Sequence, residues 1–185
     1  MTRARARLKL VSVGTVMLFA ATIPVLVGQP VWLMAGAFLV CLLAAAIATE
    51  DLLTMLIPDL YIALLALLAA ALVFATSRDW RFLAMQIGVA LLCALALFAF
   101  AAIYGRVRGQ TALGFGDVKL VGAAAILIGP WGVCLQLVLA SVAGILFVFM
   151  RSVRRRRPLR RTARIPFGTF LAPAMIIVWA WFPLP

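Results

Sequence analysis

Apolar residues dominate the chain in blocks near the length of a membrane-crossing helix, which needs about 20 residues to traverse a hydrocarbon core of about 30 Å. The blocks run from about Leu10 to Val27, Val31 to Ala48, Pro58 to Ala75, Phe82 to Ile103, Gly114 to Gly129, Trp131 to Met150 and Ile165 to Phe182. Turn-forming or charged stretches part them: Gly28-Gln29-Pro30, Glu50 to Ile57, Thr76 to Arg81, Tyr104 to Gln110, Gly129-Pro130 and an arginine-rich run after Met150. Pro58 restricts the residue before it and is well tolerated in a helix's first turn, so it should open the third helix with Asp59 near that helix's positive end. The pattern predicts an all-α membrane protein, a polytopic bundle of about seven transmembrane helices. They form one domain over residues 1–185, with the chemistry-bearing core at about 31–183.

Composition agrees with this reading. The chain is 67% hydrophobic and 12% charged, where a soluble domain would be near half apolar with about a quarter of its residues charged. Net charge is +12, and the basic residues collect between the apolar blocks. The clusters lie at Arg3 to Lys9, at Arg106 and Arg108, and at Arg151, Arg154, Arg155, Arg156, Arg157, Arg160, Arg161 and Arg164, while Arg78 and Arg81 share a nearly charge-balanced turn with Asp79. The positive-inside bias puts those clusters, and with them the N-terminus, on the cytoplasmic side. There they meet anionic lipid headgroups, so the charge is read as membrane contact and no nucleic-acid partner is expected. A basic start before an apolar run also describes a secretory signal, but several more spans follow, which favours an uncleaved first helix.

Candidate chemistry is narrow. The sequence contains no histidine, which excludes a Ser/His/Asp triad, a Ser/His dyad and a His-Glu-x-x-His zinc site. Cys41, Cys93 and Cys134 each fall in a separate apolar block, read as small buried packing residues without pairing or metal spacing. No metal and no cofactor are expected.

Five acidic residues remain, Glu50, Asp51, Asp59, Asp79 and Asp117. The arginine-derived topology places Asp51 and Asp117 on the same side of the bilayer. Two carboxylates brought close cannot both ionise easily, so one holds a proton while the other stays charged. Such a pair can activate a water and protonate a leaving amine. Gly114 and Gly116, ahead of Asp117, would let an extended substrate backbone approach. Taken alone, Gly114-Phe115-Gly116-Asp117 also describes an ordinary loop with Asp117 as a helix cap, and Asp51 also reads as an interfacial carboxylate beside Glu50. Asp59 reads as a helix-start residue, and Glu50 is the substitute should another carboxylate act. Lys119 is a snorkelling residue, or one that tunes Asp117 or holds a substrate carboxylate.

Three ordered segments then carry a resemblance. Asp51 with Ile57-Pro58-Asp59, Gly114-Phe115-Gly116-Asp117-Val118-Lys119-Leu120, and Ile165-Pro166-Phe167-Gly168-Thr169-Phe170-Leu171-Ala172 together resemble the type IV prepilin peptidase family of membrane aspartic proteases. The resemblance implies an aspartic endopeptidase of the cytoplasmic membrane. It would remove the basic leader from prepilins or pseudopilins at the cytoplasmic face, with Asp51 and Asp117 as the catalytic aspartates. Gly114, Gly116, Lys119, Pro58 and Asp59 would bind substrate or shape the site. The chain is similar to the short forms associated with Flp-type pili, lacking the paired Cys-x-x-Cys segment of bifunctional members. It has no basic residue between Asp51 and Ile57, where the family often has one or two. Thr169 stands where proline is common, a difference expected to matter little. The alternative from another class is a small transporter or channel component using the same aspartates as proton or cation sites.

Overall fold

The computed structural model describes residues 3–109, 113–155 and 166–182, and it is helical throughout. In chain order the helices are α1 (Arg3–Leu26), α2 (Val31–Thr54), α3 (Asp59–Ser77), α4 (Trp80–Arg108), α5 (Phe115–Arg155) and α6 (Gly168–Trp181). Helices α2, α3, α4 and α5 are long and apolar enough to cross a membrane, and α6 is a shorter apolar helix of 14 residues. The chain is thus an all-α, multi-pass membrane protein. The expectation of seven helices is corrected to six among the described residues. Arg156, Arg157, Arg160, Arg161, Arg164 and Ile165 lie outside them.

The difference in count arises at Gly129 and Pro130. Instead of ending one helix and starting another across a loop, the chain passes directly from one arm of α5 into the next through Gly129, at φ 66° and ψ −179°. That region of backbone space is almost closed to residues with a Cβ. The first arm runs antiparallel to α4: Phe115 meets Phe98 with ring centroids 6.0 Å apart, and Gly122 packs against Ala90 and Ala94. The second arm runs back along α6, where the Gln136 side-chain amide donates to the Leu171 carbonyl at 3.0 Å and Phe147 meets Phe170 at 5.4 Å. A straight helix would carry Phe147 roughly 46 Å beyond Gly116. Gly116 and Gly168 nevertheless share the Ile57 side chain, and Phe170 is only two residues past Gly168. The chain therefore reverses at Gly129, and both ends of α5 lie at the same end of the bundle.

Burial explains which elements are central. Helix α2 buries Ala37, Val40, Cys41, Ala44 and Ile47, a three-and-four spacing that makes one helical face. Helix α6 and the first arm of α5 are buried over most of their surface, including Leu120, Val121, Ala124, Ala125, Leu171, Met175 and Ile176. Helix α4 is peripheral, burying only Gln86 and Ala90. Its exposed Leu91, Leu92, Leu95 and Phe100 form a surface suited to lipid rather than water. Of the cysteines, Cys41 is buried and Cys93 half-buried, but Cys134 is exposed, so the buried-packing expectation fails there. All three are free thiols.

Because a Cβ on Gly129 would come no nearer than 3.9 Å to any neighbour, the cost of Gly129→Ala is conformational and not steric. It should destabilise the fold by about 1–3 kcal/mol, read as a lower thermal unfolding midpoint in detergent. An unchanged midpoint would mean that the reversal tolerates an ordinary residue.

Candidate active site

Three segments converge at one end of the bundle. The first is the C-terminal end of α2 with the loop after it. The apolar block ends at Ala48, but nothing in Leu52, Leu53 or Thr54 halts a helix, and α2 continues to Thr54. It closes with Met55 in the left-handed conformation at φ 55°, its N–H donating to the Asp51 carbonyl at 2.9 Å. Asp51 is thereby set in the last turn of a helix, and it is 5% exposed. Pro58 then caps α3, which begins at Asp59.

The second segment is the N-terminal end of α5. Gly114 accepts from the N–H groups of Asp117 and Val118, at 3.1 and 3.3 Å, forming the first turn. Asp117 stands in that turn, half-buried, with its carboxylate beside Gly114. The third segment is the N-terminal end of α6, where Gly168 and Thr169 face α2. The Thr169 N–H donates to Asp51 Oδ2 at 2.8 Å, and the Thr169 hydroxyl lies 3.2 Å from both Asp51 Oδ2 and the Ala48 carbonyl.

Two glycines allow this convergence, with Ile57 between them. A Cβ on Gly116 would meet Ile57 Cβ at 3.3 Å. One on Gly168 would lie 2.7 Å from Ile57 Cδ1 and 3.1 Å from the Asp51 carboxylate. The room expected over Gly116 for a substrate backbone is taken by Ile57 in this state. Asp51 stands at Gly168 on one side of Ile57, and Asp117 follows Gly116 on the other, so the two carboxylates converge on this junction.

The remaining acidic residues are drawn elsewhere. Glu50 pairs with Arg7 of α1 at 3.3 Å. Asp59 pairs with Lys119 at 2.8 Å, and the Lys119 ammonium also lies 4.6 Å from the centre of the Phe115 ring. Lys119 thus ties α5 to α3 instead of reaching Asp117, since two positions along a helix point roughly 200° apart. Asp79 caps α4 by accepting from the Arg81 N–H at 2.8 Å, in the turn between α3 and α4. Among the described residues no group of three or more His, Cys, Asp or Glu side chains is arranged to hold a metal.

A profile of the type IV leader peptidase family matches residues 37–149, more than half of the chain. The match takes in Asp51, the Ile57-Pro58-Asp59 turn and the Gly114-to-Asp117 segment. The chain belongs to the type IV leader peptidase family, and it is accordingly a membrane protease of the kind that acts on prepilin-type substrates. No curated protein and no solved structure matches it.

Gly168→Ala should be poorly tolerated, because the Cβ would crowd a carboxylate that Thr169 already holds in place. We expect about 1–3 kcal/mol of destabilisation, measured by chemical or thermal unfolding in detergent. The Lys119–Asp59 pair should contribute far less. With Asp59 three-quarters exposed, a double-mutant cycle on stability is expected to return a coupling below about 1 kcal/mol.

Proposed function

We propose that the chain is an aspartic endopeptidase that cleaves the basic leader from type IV prepilins or pseudopilins, Flp-type pilins among them. Asp51 and Asp117 are the catalytic pair. The observation that carries this reading is the meeting of these two carboxylates, one from α2 and one from α5, at one end of a bundle whose family is that of leader peptidases.

The chemistry follows from two carboxylates sharing one proton. The charged member accepts a proton from a water as the water oxygen bonds to the scissile carbonyl carbon. The neutral member gives its proton to the departing amide nitrogen as the C–N bond breaks. The products are a carboxylic acid and an amine, the pair still holds one proton, and no covalent enzyme intermediate forms. Gly114 and Gly116 flank the reacting region, Pro58 fixes the start of α3, and the Asp59–Lys119 pair braces α3 against α5. These residues shape the site and do not enter the reaction.

The proposed location is the cytoplasmic membrane, with the N-terminus and both aspartates at the cytoplasmic face. The distribution of arginines supports that orientation, and the same arginines would contact anionic headgroups. A leader carrying positive charge would arrive from this side.

The test is co-expression with a tagged prepilin from the same genome, following leader removal by gel shift. Wild type should cut, while Asp51→Asn and Asp117→Asn should each lose at least about a hundredfold in processing with the protein still present in the membrane. Cutting by either variant at the wild-type rate would transfer the role to Glu50 or Asp59. If wild type cuts none of the prepilins, and the aspartates instead support proton or cation flux in vesicles, the chain is a transporter component.

A further inference from the structure

The two aspartates are not equivalent in their surroundings. Asp51 Oδ2 accepts the Thr169 N–H at 2.8 Å and lies 3.2 Å from the Thr169 hydroxyl. The Gly168 N–H is also directed at this carboxylate. Both backbone donors belong to the first turn of α6, where helical N–H groups have no partner within their own helix and the helix dipole is positive. Donors of this kind bind the ionised carboxylate more strongly than the neutral acid, so the cradle offsets what burial costs the charged form of Asp51. Among the described residues the one backbone donor to Asp117 is Gly114, and the position of Asp117 in the first turn of α5 is half-open to the surroundings.

Among the described residues no cation acts on either carboxylate, although Lys9 of α1 and Arg106 and Arg108 at the end of α4 belong to the same end of the bundle. Around this end of the bundle, Glu50 is paired with Arg7 and Asp59 with Lys119. The second arm of α5 ends in Arg151 and Arg154, beyond Phe147, and α6 carries no charged residue.

Resting on the peptidase reading, we infer that Thr169 is a positioning residue. With Gly168, it holds Asp51 as the charged, water-activating member of the pair and leaves the shared proton on Asp117. Asp51 is the general base and Asp117 the general acid. The hydroxyl of Thr169 has a second function in the geometry, because its contact with the Ala48 carbonyl fixes the side-chain rotamer against α2. A proline at this position would keep the helix start and lose both donors to Asp51. The orientation and ionisation of Asp51 would then rest on Gly168 alone.

The test is the pH–rate profile of prepilin cleavage by the purified full chain in detergent. We compare wild type, Thr169→Val, Thr169→Ser and Thr169→Pro. Losing donors to the charged form disfavours that form, so ionising the base requires a higher pH. The acid limb should move up by about one pH unit in Thr169→Val, and further in Thr169→Pro. Thr169→Ser, which keeps both donors, should reproduce the wild-type limb. A purely structural role would lower the rate equally at all pH values and leave the limb in place. That result, or a Thr169→Val profile superimposable on wild type, overturns the inference while leaving the peptidase reading intact.

A second measurement needs no substrate. Infrared difference spectra at neutral pH should show an ionised carboxylate lost in Asp51→Asn and a protonated carboxyl lost in Asp117→Asn. The reverse assignment would overturn the division of roles between the two aspartates. Failure of wild type to cut any prepilin would count against the peptidase reading itself, and the infrared result would still decide whether α6 keeps Asp51 charged.

Discussion

Charge is expensive among apolar side chains, and its confinement to helix ends organises the molecule. Every charged residue described lies within the first or last turns of a helix or in a connection: Arg3, Arg5, Arg7 and Lys9, Glu50 and Asp51, Asp59, Arg78 to Arg81, Arg106 and Arg108, Asp117 and Lys119, Arg151, Arg154 and Arg155. Since consecutive helices of a bundle alternate in direction, such ends meet in layers. Glu50, Asp51, Asp59, Asp117 and Lys119 are gathered in one layer for this reason. Within it, short-range geometry decides the partners. Glu50 finds Arg7, Asp59 finds Lys119, and the two carboxylates left without a cation find each other. The proposed catalytic pair is what remains after these ion pairs have formed.

Ile57 connects the parts of that layer. It follows α2 by a few residues, and its side chain touches the α5 and α6 helix starts at Gly116 and Gly168. One apolar side chain thus sets the spacing of three helix ends. Larger residues at either glycine would push the ends apart, and the distance between Asp51 and Asp117 would follow. On the proposed reading, a substrate backbone laid beside Gly116 would have to displace Ile57, which sits in the loop between α2 and α3.

Much of this is legible in the sequence. The apolar blocks give the helices, Pro58 marks the start of α3 to within one residue, and the arginine distribution puts Asp51 and Asp117 on one side. Other features are out of reach for definite reasons. Gly129 and Pro130 announce a break, but whether the chain pauses in a loop or turns back at once depends on packing against α4 and α6. The apolar pattern hides the extension of α2 past Ala48, because charge marks the end of an apolar block without ending a helix, and Glu50 and Asp51 are compatible with helix. The direction of Lys119 away from Asp117 is open to helical periodicity. The role of Thr169 is not, because its bond to Asp51 joins residues 118 positions apart, and no local pattern encodes a contact of that kind.

The reversal at Gly129 also bears on how the chain enters a bilayer. The first arm of α5 is about 14 residues long, roughly 21 Å at 1.5 Å per residue, against a hydrocarbon core of about 30 Å. Alone it would leave backbone groups stranded in lipid at its inner tip, where nothing supplies hydrogen bonds. Joined to the second arm and laid against α4 and α6, that tip is enclosed by protein. The two arms therefore satisfy each other as a pair, and the setting of the aspartate at the start of the first arm depends on the second arm as well.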